Sequence, residues 1–239
     1  MEIKIISLNM CHGNIGNDNI DVKKQADVIK KYNPDIVFLQ EVDIYTDRCG
    51  NINEYAIFKE ELQFKYGAVG SNIKFLNGWY GNAILSKFEI LDSINYIKSN
   101  LKENKGLLFA KIKIDNKELD LFNTHLPVLE TDRIDFVNEI IYKNIKNSNN
   151  CILGGDMNFG MIPKGNHIYD YDIKDKYIEL EKLKEVISYI EFNELTHPVI
   201  NPKIGIDKFL YKGNINIKSI RKLDENISDH FPVELVIEV

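Results

Sequence analysis

Apolar and polar positions along the chain fall into alternating strand and helix periods, with extra strands in the middle. Glu2 to Leu8 begins as a polar/apolar alternation, the period of a strand with one covered face. Asp21 to Tyr32 puts Val22, Ala26, Ile29 and Tyr32 on one helical stripe, and Asn33-Pro34 stops it, because a residue before proline is pushed out of the helical region. Ile36 to Leu39 is a compact apolar run, as in a strand covered on both faces. The same order returns with a strand at Leu119 to Phe122, a helix from Thr131 to Ile145 carrying Ile134, Val137, Ile141 and Ile145 on one side, and a strand at Cys151 to Leu153. Between the two units the pattern predicts strands at Tyr80 to Leu85, Ile90 to Ile97 and Leu107 to Ile114, with Asn116 in a hairpin turn. Met157 to Tyr177 has no clean period and is expected to be an irregular recognition loop. Glu179 to Ile190 reads as a helix through Leu180, Leu183, Ile187 and Ile190, and Val233 to Val239 as a final alternating strand.

Polar residues sit where the apolar runs end: Asn9, Gln40-Glu41, Gly81-Asn82, Asn123-Thr124-His125, Gly154-Gly155-Asp156-Met157-Asn158, Ile206-Asp207 and Ser228-Asp229-His230. Carboxylates and amides collected at strand ends suit a hard divalent cation, with imidazole and amide groups left for phosphate oxygens. Asn9 and Glu41 are 32 positions apart, and His125 and Asp156 are 31 apart, so two strand-helix-strand units packed face to face would bring four such groups together. Glu41, at the exit of a buried strand, needs a positive partner or water to stay ionised. Gly154 and Gly155 permit close backbone approach, and Asp156 and Asn158, two apart on an extended segment, would point to one side, although a plain turn favours the same residues. His230 has the position of a general acid/base imidazole beside a metal-binding acid, Asp229, with Asp207 upstream to orient it. His12, His167 and His197 are expected to be structural.

Composition narrows the classes. With 239 residues and 44% hydrophobic content, the chain is expected to form one domain over 1–239. No apolar stretch approaches the roughly 20 residues that span a bilayer. Met1-Glu2-Ile3-Lys4 enters a strand pattern without a signal-type segment, so a cytoplasmic protein is expected. Cys11, Cys49 and Cys151 cannot all pair within one chain and match no zinc spacing, as in a reducing compartment. A net charge of −6 argues against a broad cationic face for long nucleic acid, and the lysines of 98–117 and 203–222 read as a solvated face.

The combination of Asn9, Leu39-Gln40-Glu41-Val42, Gly81-Asn82-Ala83-Ile84-Leu85-Ser86, Asn123-Thr124-His125, Gly154-Asp156-Asn158 and Ser228-Asp229-His230-Phe231-Pro232-Val233 resembles the endonuclease/exonuclease/phosphatase superfamily over nearly the whole chain. The resemblance implies a four-layered α/β sandwich, two mixed β-sheets face to face with helices on both outer faces, and a Mg²⁺ or Mn²⁺ site at one edge. Carried over residue by residue, it implies Glu41, Asn9 and Asp229 at the metal. It also implies His230 with Asp207 as the imidazole pair, Asp156 and Asn158 on the attacking water and phosphate, and His125 and Asn82 on phosphate oxygens. Asn9-Met10-Cys11-His12-Gly13 and Glu41-Val42-Asp43 followed by Arg48 look like the branch of small bacterial members and sphingomyelinase-like phosphodiesterases. Cys11 replaces an acid found in some nucleases of the superfamily, and Gly205 replaces an Arg that often precedes the Ile-Asp pair.

The expectation is therefore a monomeric, Mg²⁺- or Mn²⁺-dependent phosphoric-ester hydrolase, a phosphodiesterase for a small or lipid-derived substrate, with Arg48, Tyr80 and Asn82 on the substrate. The alternative is an endo- or exonuclease for damaged or short DNA or RNA, with Trp79 and Tyr80 as a stacking surface. A noncatalytic binding module is disfavoured because every expected reactive side chain is present. Specificity is expected to reside in Thr46 to Lys65, Asn72 to Trp79 and Met157 to Tyr177.

Overall fold

The structure, a computed structural model, describes residues 1–99, 101–164 and 170–239. In chain order these form β1 (Glu2–Asn9), α1 (Val22–Lys30), β2 (Ile36–Ile44), α2 (Glu54–Glu61), β3 (Tyr66–Phe75), β4 (Gly78–Ser86), β5 (Glu89–Lys98), β6 (Lys105–Ile114) and β7 (Lys117–His125). Next, α3 (Glu130–Phe136) runs through a π turn (Val137–Ile141) into α4 (Tyr142–Lys146). The remainder is β8 (Cys151–Asp156), β9 (Met161–Pro163), β10 (Tyr171–Ile173), α5 (Ile178–Leu183), β11 (Ser188–Tyr189), β12 (Asp207–Lys212), β13 (Asn216–Lys222) and β14 (Val233–Glu238). One six-stranded sheet has the order β13-β14-β1-β2-β4-β3 and the other β11-β12-β8-β7-β6-β5, while β9 and β10 form a separate hairpin. Both sheets are mixed: β1 pairs parallel with β2, and β7 with β8, while their other pairings are antiparallel.

The strand period of two sorts apolar residues into layers. Ile3, Ile5, Ile36, Phe38, Leu121, Ile152, Phe209 and Leu235 fill the space between the sheets. Their neighbours in sequence, Ile6, Leu8, Val37 and Leu39, face outward against Ala26 and Ile29 of α1 and Phe58 of α2. On the opposite side Phe122, Leu153 and Leu210 face Phe136, Ile141 and Ile145 of α3 and α4 and Leu183 of α5. The result is the four-layered sandwich with helices on both outer faces. Among the described residues no helix is long and apolar enough to cross a membrane.

Several predicted elements change length or phase. The predicted helix Thr131 to Ile145 is present as one run with a π turn, which slips the buried stripe to Arg133, Phe136, Val137, Ile141 and Ile145 and leaves Ile134 only half-buried. The predicted helix to Ile190 stops at Leu183, and Ser188 and Tyr189 pair with β12. Leu180, Leu183, Ile187 and Ile190 are nonetheless all buried, so a turn and a short strand satisfy the burial that a helical period also explains. The region Met157 to Tyr177, expected to be irregular, contains the β9–β10 hairpin, while 165–169, with His167, lie outside the described residues. Other elements outside the predicted pattern are α2, capped by Asn53 accepting from the Ala56 amide, glycine-broken β3, and the largely exposed β13.

Candidate active site

The inter-sheet period that begins with Ile3 and Ile5 continues through Ser7 to Asn9, and in β2 it passes from Ile36 and Phe38 to Gln40. In β7 it passes from Leu121 to Asn123 and His125, and in β8 from Ile152 through Gly154 to Asp156. The apolar layer thus becomes polar at one end of both sheets. Asp207 opens β12 in antiparallel register with Asp156, and His125 lies in parallel register with Asp156 from the other side. Gly155 is in the left-handed region (φ 133°), and a Cβ there would collide with the Thr124 carbonyl, so the glycine lets β8 approach β7 at this point.

Asn123 staples the sheets. Its amide nitrogen donates to the carbonyls of Leu39 (2.9 Å) and Ala83 (2.8 Å), and its oxygen accepts from Gln40 Nε2 (2.7 Å). Immediately after Gln40, β2 bulges and Glu41 takes a left-handed backbone (φ 56°), which turns its carboxylate toward the cluster. Ser228 fixes the last contributor by donating to the Asn9 carbonyl (2.7 Å), just ahead of Asp229 and His230.

Asn9, Glu41, His125, Asp156, Asp207, Asp229 and His230 meet in one cluster. Asn9 Nδ2 donates to Glu41 Oε1 and Asp156 Oδ2, each at 3.1 Å. His125 lies between the same two acids, with Nδ1 3.8 Å from Glu41 Oε1 and Nε2 3.4 Å from Asp156 Oδ2. His230 has Nδ1 2.9 Å from Asp207 Oδ2 and Nε2 3.7 Å from Asp156 Oδ2. Ser228 Oγ is 3.3 Å from Asp229 Oδ1. Asn158 is adjacent but not on an extended segment as expected. Its backbone is left-handed (φ 48°), its N–H donates to Asp156 Oδ1 (3.0 Å), and its amide nitrogen donates to the Leu126 carbonyl (2.9 Å). Asn82 is buried and donates to the Gly106 carbonyl (3.0 Å), tying β4 to β6.

Charge is concentrated here. Burial raises the Glu41 carboxyl above its ordinary range, and the neighbouring Asp229 raises it further. Burial also pushes Asp156 up to about 7, against the lowering influence of His230. Burial disfavours the charged form of His230, but Asp207 and Asp156 outweigh it and hold the imidazole well above its ordinary value. His125 is held well below, by burial and then by Lys105. Asn9, Glu41 and Asp229 offer hard oxygen donors in a region of excess negative charge, a donor set that fits a divalent cation.

Arg48 and Tyr80 stand beside the cluster in a cavity of about 680 Å³. Arg48 binds Asp43 through two hydrogen bonds (2.6 and 2.9 Å) and lies over the rings of Phe75 and Tyr80, 4.8 and 5.2 Å from their centroids. Two assignments change. His197, expected to be structural, packs against His230 with ring centroids 4.5 Å apart and planes tilted by 40°, and places Nε2 4.0 Å from Asp229 Oδ2. Lys105, expected on a solvated face, is 2% exposed and lines the cavity. The position of Lys105, directly before Gly106 and the apolar run of β6, was the available sign. His12 lies half-buried in the Cys11–Gly13 turn, with ring nitrogen, Cys11 sulfur and a Glu41 oxygen within 4.8 Å of one another.

Two face-to-face mixed sheets thus carry an acid, amide and imidazole cluster at their shared edge. The chain belongs to the Endonuclease/Exonuclease/phosphatase family, whose model matches residues 6–230. It is 28% identical over 178 residues to a sphingomyelinase C of Bacillus cereus, an alignment covering 63% of this chain and 53% of the relative, so the chain spans about half the length of the curated relatives it matches. Its fold is similar to that of an endonuclease/exonuclease/phosphatase from Beutenbergia cavernae, with a TM-score of 0.78, 15% identity, and coverage of 100% of this chain and 72% of that one. It is similar also to humanized D. rerio TDP2, with a TM-score of 0.75, 16% identity, and coverage of 100% and 99%.

Proposed function

We propose that the protein hydrolyses phosphodiesters of small or lipid-derived alcohols, with Mg²⁺ or Mn²⁺ as cofactor. The observation that carries this reading is the single cluster in which Asn9 bridges Glu41 and Asp156 while His230 contacts Asp207. Glu41, Asn9 and Asp229 would hold the cation. When bound, it supplies Lewis-acid charge to the phosphoryl group.

In this scheme Asp156, poised near neutral pH, takes a proton from the attacking water, with Asn158 held against it by the 3.0 Å hydrogen bond. His230, kept charged by Asp207, donates from Nε2 to a phosphate oxygen, and neutral His125 donates to a second. Tyr80, Asn82 and Arg48 act on the substrate side, Arg48 by fixing the wall formed by Phe75 and Tyr80. The sphingomyelinase C relative supports a lipid-derived diester as one substrate to test.

A second reading, a nuclease for short or damaged strands, is favoured by Trp79, 47% exposed beside the cavity residue Tyr80. The test is a panel of sphingomyelin, other phosphodiesters, inositol phosphates, nucleotides, short RNA, and abasic or nicked DNA, assayed with Mg²⁺, Mn²⁺ or EDTA. Cation-dependent cleavage of a nonnucleic diester is expected. Cleavage confined to nucleic acid would select the second reading, and no turnover on any ester would overturn both.

A further inference from the structure

Lys105 is a buried cation of this region that the proposed chemistry has not used. It opens β6 next to Gly106, whose carbonyl receives Asn82 Nδ2 (3.0 Å) and Thr124 Oγ1 (3.2 Å), so its backbone is fixed at the edge of the cluster. It is 2% exposed, and among the described residues its one hydrogen-bond partner is Glu103 Oε1 at 2.9 Å, on a side chain 46% exposed. An ammonium has three donors, and a buried charge with unfilled donors is costly unless a ligand fills them.

The open space beside it is the 680 Å³ cavity, walled by Phe75, Tyr80, Pro127, Val128, Met161 and Tyr171. Arg48 in the same wall is already committed to Asp43, and Lys102 is exposed to solvent. Leu107 pairs with Thr124 in the β6–β7 ladder and the Gly106 carbonyl accepts from Thr124 Oγ1, which sets Lys105 alongside the strand end that carries His125. Asp156, Asn158, Asp207 and His230 are not among the described residues lining the cavity. The cavity is therefore room for an organic substituent of the ester rather than for the water held by that group.

Resting on the phosphodiesterase reading, we infer that Lys105 is a further catalytic residue whose ammonium meets the departing ester oxygen, and that the cavity seats the apolar or aromatic group leaving with it. The water oxygen forms a bond to phosphorus with its own electron pair, and the bond from phosphorus to the departing oxygen breaks, its pair staying on that oxygen. The water proton passes to Asp156, and the departing oxygen takes a proton from solvent. Lys105 keeps its three protons and supplies charge and hydrogen bonds. One diester and one water give one alcohol and one monoester.

The test compares a series of methyl aryl phosphates, from phenyl to para-nitrophenyl, in wild type, Lys105→Met and Lys105→Arg. A lost donor to developing charge costs roughly 10²- to 10³-fold. Lys105→Met should lose that much on the phenyl ester, whose oxygen leaves poorly, and less than about 10-fold on the para-nitrophenyl ester, whose oxygen carries its charge unaided. Lys105→Arg should recover most of the phenyl-ester rate. Equal losses along the series, or none, would overturn the inference, because a merely structural lysine affects every ester alike. If Lys105→Met fails to give a folded protein by near-UV circular dichroism, Lys105→Gln carries the same comparison. A wild type inactive on the whole series and on the wider substrate panel would instead strike at the phosphodiesterase reading.

Discussion

Replacing Asn123 with Ala tests whether this residue, part of an apparent substrate motif, serves the fold. The side chain is 0% exposed and makes three short hydrogen bonds, to Leu39, Ala83 and Gln40, that cross from β7 to β2 and β4. At about 1 kcal/mol net for each neutral bond, the three together contribute about 3 kcal/mol, and groups left unpaired in a dry interior raise the cost toward 5 kcal/mol. Gln40 retains a 3.2 Å contact with Ser7 Oγ, which offsets a little of that. For a chain of this size, at 2–4 °C per kcal/mol, the expected fall in Tm is about 10 °C. Urea unfolding followed by near-UV circular dichroism, fitted with a common slope, measures the change. A loss under about 1 kcal/mol would refute the staple.

Asp207→Asn keeps the side-chain shape beside His230 but removes the anion that holds the imidazole charged. Turnover should fall roughly 10²- to 10⁴-fold with Tm little changed, and the limb of the pH profile where His230 loses its proton should move to lower pH. Wild-type rates would contradict this. Burial raises the Glu54 carboxyl to about 8, so between pH 4.5 and 8 the folded chain binds more proton than the unfolded one, and stability falls as pH rises through that window. Glu54→Gln keeps an acceptor for the Asp43 amide and should flatten this dependence in urea titrations at stepped pH, whereas parallel curves would count against it. Arg133 and Glu179 are each 1% exposed and paired at 2.6 Å, so Arg133→Met should cost about 3–5 kcal/mol by stranding a buried carboxylate. The double variant with Glu179→Leu should recover most of this stability, and no recovery would mean that the Arg133 bonds to the Pro127, Val128 and Met161 carbonyls dominate.

Much of the site was legible because it follows a two-residue period. Where Ile3, Ile5 and Phe38 mark the covered face, Asn9 and Gln40 continue it, and the repeat from His125 to Asp156 is the parallel β7–β8 pair itself. What was illegible depends on contacts outside that period. Lys105 shares a strand with the more exposed Lys111 and Lys113, yet it is buried and lines the cavity together with Pro127, Val128 and Leu129 from the segment after His125. His197 comes from a segment whose place is set by pairing with Ile204 and by the Asp229 carbonyl, which accepts from Val199. The early end of α5 has the same character: Leu180, Leu183, Ile187 and Ile190 fit a helical stripe, yet Ser188 and Tyr189 gain ladder partners in β12.

The position of β14, between β13 and β1, sets an order of events during synthesis. A ribosome releases Asn9, Glu41, His125 and Asp156 long before the strand that divides β1 from β13, and Asp229 and His230 emerge just ahead of that strand. Until it slots in, β13 is cut off from the other four strands of the first sheet, and the segment that pairs His230 with Asp207 is not anchored. An unfinished polypeptide thus lacks Asp229 and His230 at the cluster, whatever the rest of the chain has already assembled.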